Sequence, residues 1–164
     1  MRHLRPTSIL TFALAAALAA SALGACANDA PRAVVDGEDH CAQCHMGVAD
    51  LRFAAQARTA TGKVLLFDSI ECLADYLAEH ERADFASLHV TDYRTPGTWV
   101  SVDSAQFIVD GRITSPMGRS LAAFALDAAP DSLVQQHDGR VIDWAAVQAL
   151  VASGAVAAPH AHSP

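Results

Sequence analysis

Residues 39–47 read Asp-His-Cys-Ala-Gln-Cys-His-Met-Gly, and Cys41, Cys44, His45 and Met46 all carry donors for a metal or an electrophile. Cys41-x-x-Cys44-His45 fits the pattern that tethers a c-type haem, with two thioether bonds to the vinyl groups and His45 as proximal ligand. The same pair of cysteines fits a dithiol redox centre or a structural disulfide. Thiolate and thioether side by side also form the donor set that favours Cu(I) over harder ions. Beyond Met1 and Met46 the chain has a single further methionine, Met117, in Ser115-Pro116-Met117-Gly118. It can serve as the distal ligand of a haem or as a third soft donor. Neither Met46 nor Met117 lies in an apolar periodic run, and each precedes a glycine, Gly47 or Gly118, where a left-handed backbone would bring the thioether close to a bound group. Zinc fits less well, since no second Cys or His pair follows at finger spacing.

The surroundings weigh on these readings. A haem needs a continuous apolar pocket, usually walled by helices, whereas the stretch between His45 and Met117 carries several strand-like runs. An activated dithiol usually opens a helix after a strand, and no apolar strand precedes Cys41. Of the other donors, Cys72 shares the periodic face of a helix and reads as a buried, inert thiol. His45 and His89 read as exposed histidines more readily than as ligands, and His160-x-His162 belongs to a frayed end.

The elements that must position these groups are short. Arg52–Thr59 and the apolar run Val64–Phe67 flank the turn 60–63 and predict a hairpin. Asp68-Ser69 caps a helix from Ile70 to His80, with Ile70, Leu73, Tyr76 and Leu77 at helical spacing. Leu88–Tyr93 predicts a third strand. In the second half Thr98–Val102 and Gln106–Val109 are strand-like, Gly118–Asp127 predicts a helix, Leu133–Gln136 and Val141–Ile142 predict a hairpin, and Trp144–Ala152 a last helix. The expected class is α+β: two small strand-strand-helix-strand units, about 38–95 and 96–155, plus a C-terminal helix. Both belong to one domain, 38–155.

The ends carry other signals. Met1–Ala25 joins a basic start, a short apolar run and small residues, the parts of a secretory signal peptide. Leu23-Gly24-Ala25-Cys26 resembles a lipobox, which implies cleavage before Cys26 and a lipid on its sulfur. Residues 26–37 are expected to form a flexible tether and 156–164 a disordered tail. Removing Arg2 and Arg5 from the 11 basic residues leaves nine against 18 acidic ones. An acidic chain with the single lysine Lys63 argues against nucleic acid as partner and against electrostatic adhesion to anionic lipid. The membrane link must then be covalent, with the protein in the periplasm, and the Ala27 that follows Cys26 leans toward the outer membrane.

Several spaced motifs together resemble the NosL family: Asp39-x-Cys41-x-x-Cys44-x-Met46-Gly47, Gly62-Lys63, Phe67-Asp68, Cys72-Leu73, Val90-x-Asp92-Tyr93, Trp99, Ala105, Ser115-Pro116-Met117-Gly118 and Ala123-Phe124. The resemblance implies a NosL/MerB-like fold and a lipid-anchored periplasmic Cu(I) chaperone, not an enzyme, that serves maturation of the copper centres of nitrous oxide reductase. It implies Met117, Cys44, Met46 and Cys41 as the metal ligands, and the reductase or its membrane-bound maturation machinery as partner. In one departure, His45 stands where the family usually has Gly, and this is what creates the haem-like pattern. The other readings of the same residues are a c-type cytochrome and a periplasmic thiol oxidoreductase.

Overall fold

The computed structural model describes residues 30–127 and 129–154. Strands β1 (Ala55–Thr59) and β2 (Val64–Phe67) form the antiparallel hairpin. Its turn needs Gly62, whose φ of 90° lies in the left-handed region, and closes with Thr59 N–H donating to the Lys63 carbonyl at 2.8 Å. Helix α1 (Ile70–Ala78) begins where the Ser69 hydroxyl accepts from the Cys72 N–H, satisfying one of the otherwise unpaired amides of the first turn. Strand β3 (Phe85–Thr91) returns beside β1, and β4 (Trp99–Ser101) pairs on its far side, so the first sheet runs β2-β1-β3-β4.

The second unit repeats this order. Strand β5 (Ala105–Val109) sits between β6 (Ala122–Ala125) and β7 (Arg140–Ile142), with helix α2 (Pro130–His137) connecting β6 to β7. In both units the first strand is the central one of its strand-strand-helix-strand motif. Helix α3 (Trp144–Ala152), capped by the Asp143 carboxylate, packs against α1. The expected α+β architecture is therefore the observed one. No helix among the described residues is long and apolar enough to cross a membrane.

Two expectations exchange places in the second unit. The helix predicted over Gly118–Asp127 is strand β6, and the strand predicted over Leu133–Gln136 is part of α2. The cause is burial on both faces of the second sheet. Phe107, Val109 and Ala123 join the core shared with α1 and α3, while Ile108, Ala122 and Phe124 face a second cluster with Leu133 of α2. A strand covered on both sides loses its alternation, and Ala-rich apolar sequence then reads as helix. The register matches small residues to large ones, Phe107 against Ala123 and Ile108 against Ala122. Helix α2 spans only eight residues, and its start is marked by Pro130 in the first turn.

His137, the last residue of α2, packs its ring against Tyr93 and Phe124 with centroids 5.6 and 5.2 Å away. Burial, aided by the nearby Arg112 charge, lowers its pKa below the ordinary histidine value. A depressed pKa means the unfolded chain binds the proton more readily, so His137 costs no stability above about pH 6.5 and an increasing amount as pH falls below it. Urea unfolding is expected to show a midpoint that drops between pH 7 and pH 5, with a smaller drop in His137→Phe, which keeps the ring contacts.

Candidate metal centre

The Cys motif forms a closed loop between two short backbone contacts. Cys41 N–H donates to the Met46 carbonyl at 2.7 Å, His45 N–H donates to the Cys41 carbonyl at 3.0 Å, and His40 and Gly47 pair as an isolated bridge. Asp39 fixes the loop's entry: both its carboxylate oxygens accept from the Arg32 guanidinium, at 2.6 and 2.8 Å, and this pairing holds its pKa below the usual carboxylate range. Ala42 N–H reaches the Leu66 carbonyl at 2.8 Å, binding the loop to the outer side of β2.

That placement brings the loop to the junction of β2 and α1, where Asp68 and Cys72 lie one helical turn apart. The sulfurs of Cys41, Cys44 and Cys72 and a carboxylate oxygen of Asp68 all lie within 4.8 Å of one another. Cys41 and Cys72 are each 1% exposed, and Cys44 is half-buried with its S–H directed at Asp68 Oδ1, 3.6 Å away. All three are free thiols. The neighbouring Cys72 side chain, with backbone N–H groups of Cys44, Asp68 and Gln43 and against the opposing cost of burial, lowers the Cys41 pKa to about 6. The neighbouring Cys41 side chain, with burial, pushes the Cys72 thiol up. Burial, with the neighbouring Cys41 and Asp68 charges, raises Cys44.

Met46 and Met117 stand at the surface instead, 62% and 41% exposed. Met46 belongs to the Cys loop itself. Met117 sits in a turn closed by Gly118 N–H donating to the Ser115 carbonyl at 3.0 Å, and Ser115 holds that turn to α1 by a hydrogen bond to Glu71, the residue before Cys72. Glu71 is fully buried, which raises its pKa, and its Oε2 has no partner. Gly118 adopts the expected positive φ of 74°, but Gly47 does not. The left-handed position of the Cys loop is His45, at φ 63°. Histidine is among the few non-glycine residues that tolerate this region, so a position suited to Gly is filled by His with its ring exposed.

The structure thus brings Cys41 and Cys44 together and adds Cys72 and Asp68. Cys72 is buried as expected, but it faces Cys41 and is not a thiol apart. Of the expected capping pair Asp68-Ser69, Ser69 is the residue that caps the helix. The i, i+4 spacing of Asp68 and Cys72 across the start of a helix was the available sign that both face one side. His89 is half-buried in β3, opposite Gln56 and Ser101. Cys26, His160 and His162 lie outside the described residues.

A haem does not suit this geometry. Its vinyl carbon would have to reach the Cys41 sulfur, which is buried against Cys72. Three thiols and a carboxylate whose ligand atoms lie within 4.8 Å of one another suit a soft, thiophilic ion.

A two-unit α+β fold whose first unit gathers three cysteines and an aspartate is the class that the structure defines. The chain belongs to the NosL family, whose model matches residues 32–151. Its fold is similar to the crystal structure of the copper chaperone NosL from Shewanella denitrificans, with a TM-score of 0.59 at 19% identity, over 71% of this chain and 93% of that one. No curated protein matches the chain.

Proposed function

We propose that this protein is a Cu(I)-binding metallochaperone whose task is transfer, not catalysis. The observation that carries this reading is the convergence of the Cys41, Cys44 and Cys72 sulfurs within 4.8 Å, beside a loop that also carries the exposed Met46. Met117, Cys44, Met46 and Cys41 are the proposed ligands, and copper enters and leaves at the exposed ones. The half-buried Cys44 and the two exposed methionines leave an open side, so that an acceptor's ligands can displace the protein's own one at a time. The tie between Ser115 and Glu71 supports a role for Met117, because it fastens the Met117 turn to the helix that bears Cys72. Family membership supports delivery of that copper to the maturation of nitrous oxide reductase.

Titration of the reduced, full-length protein against a Cu(I) chelator tests this reading. One Cu(I) per chain bound more tightly than by the chelator is expected, with clear preference over Zn(II). Absence of such binding, or equal preference for Zn(II), refutes it.

Lipid anchorage through Cys26 and a periplasmic location, at the outer membrane, complete the proposal, supported by Leu23-Gly24-Ala25-Cys26. Cys26→Ser is expected to move the protein from the membrane to the soluble periplasmic fraction, with the mass of the lipid lost. Unchanged fractionation and mass would show that no lipid is attached there.

A further inference from the structure

We infer that the chain holds a second, inner position for the soft monovalent ion, built from the Cys41 and Cys72 sulfurs with Asp68 beside them and reached through Cys44. The inference rests on the copper-binding reading above and adds to it a site that the outer ligands alone do not provide. Soft metal–thiolate bonds of about 2.3 Å span sulfurs up to about 4.6 Å apart, and the Cys41 and Cys72 sulfurs belong to a cluster whose ligand atoms all lie within 4.8 Å of one another. One ion can therefore be shared by the Cys41 and Cys72 sulfurs, with the S–metal–S angle set by their separation. Both sulfurs are nearly inaccessible to water, so an ion there is shielded from competing ligands.

The two walls are rigid for separate reasons. Cys72 lies in the first turn of α1, its N–H bound by Ser69 Oγ at 3.1 Å. Cys41 is held by its own N–H on the Met46 carbonyl and by the neighbouring Ala42 N–H on Leu66.

Cys44 joins the two positions. Its sulfur belongs to the buried cluster, while its backbone lies two residues from the exposed Met46. An ion bound outside by Cys44, Met46 and Met117 passes inward when the two thioethers release it and the Cys41 and Cys72 sulfurs bind it, with Cys44 attached throughout. Protons carried by the Cys41 and Cys72 sulfurs leave to solvent as the ion binds, and the oxidation state of the copper does not change. The outer position then exchanges copper with a partner, and the inner one retains it.

The test removes the outer position and leaves the core intact. Met46→Leu, Met117→Leu and Cys44→Ser are combined in the full-length chain, all at exposed or half-buried sites, and folding is checked by the urea midpoint. The reduced variant is titrated with Cu(I) against a chelator. The inner position predicts that one Cu(I) per chain is still bound, loaded at least about tenfold more slowly than in the wild type, and lost when Cys72→Ser is added. A folded triple variant that binds no Cu(I), or that binds Zn(II) in preference, overturns the inner position and leaves the chaperone reading standing. If the wild type itself binds no Cu(I), the chaperone reading fails and the inner position with it.

Discussion

Met117→Leu is expected to lower Cu(I) affinity at least about tenfold, which corresponds to about 1.4 kcal/mol, while the apo-protein melts almost as the wild type does. The substitution keeps volume and apolarity and removes only the sulfur, and such swaps usually cost less than about 1.5 kcal/mol even in a core. Met117 is 41% exposed in a turn, so its packing contribution is smaller still. Stabilisation by a ligand follows the ratio of its concentration to Kd, and the rise in melting temperature on adding copper should shrink accordingly. X-ray absorption on the copper form gives an independent reading, since one sulfur scatterer should disappear. A methionine that serves only packing predicts the opposite pattern: a lower apo melting point, unchanged affinity and an unchanged copper environment.

Phe107→Ala is expected to be the more damaging change to the fold, costing about 3–5 kcal/mol. Phe107 is fully buried in β5, lies opposite Ala123 and Ile142 on its two neighbouring strands, and packs its ring against Trp144 with centroids 5.6 Å apart. Single domains commonly have only about 5–15 kcal/mol in total, so this one truncation removes a large part. Phe107 also shares its core with Cys41 and Cys72, which makes the thiol pocket depend on the second unit. If copper binds only the folded chain, Cu(I) at about one hundred times its Kd should return about 2.7 kcal/mol to the variant. Urea unfolding with and without Cu(I) measures both quantities, and a loss below about 1 kcal/mol would show that the core closes around the missing ring.

What the sequence reveals of this molecule follows from the range of each interaction. The β1–β2 hairpin, the Ser69 cap and helices α1 and α3 are set by neighbours within a few residues, and Gly62, Ser69 and Asp143 announce them. Strand β6 is not announced in this way. Ala122, Ala123 and Phe124 have good or neutral helix propensity, and what makes them a strand is the pairing with β5 and the cover on both faces, neither of which is local. Helix α2, with one buried apolar residue, Leu133, shows too little periodicity to be recognised. The same division runs through the candidate site. Cys41, Cys44 and Met46 are legible as a motif, whereas the meeting of Cys41 with Cys72, 31 positions away in the chain, is made by the sheet and the helix. Cys72 read alone is a helical residue on an apolar face, and only the tertiary fold turns that face toward a second thiol.

The bond from Ala42 to Leu66 has a consequence for the protein's behaviour in concentrated or crowded solution. Strand β2 is an outermost strand of its sheet, and a bare rim of this kind offers unpaired amides and carbonyls to any other chain that arrives extended, the usual route to fibrous aggregates. The Cys loop lies over that rim and occupies the Leu66 carbonyl. The segment that carries the soft donors is thus also a guard against self-association. Substitutions that loosen it in order to speed metal exchange would uncover a sticky margin, which confines how mobile such a loop is allowed to be.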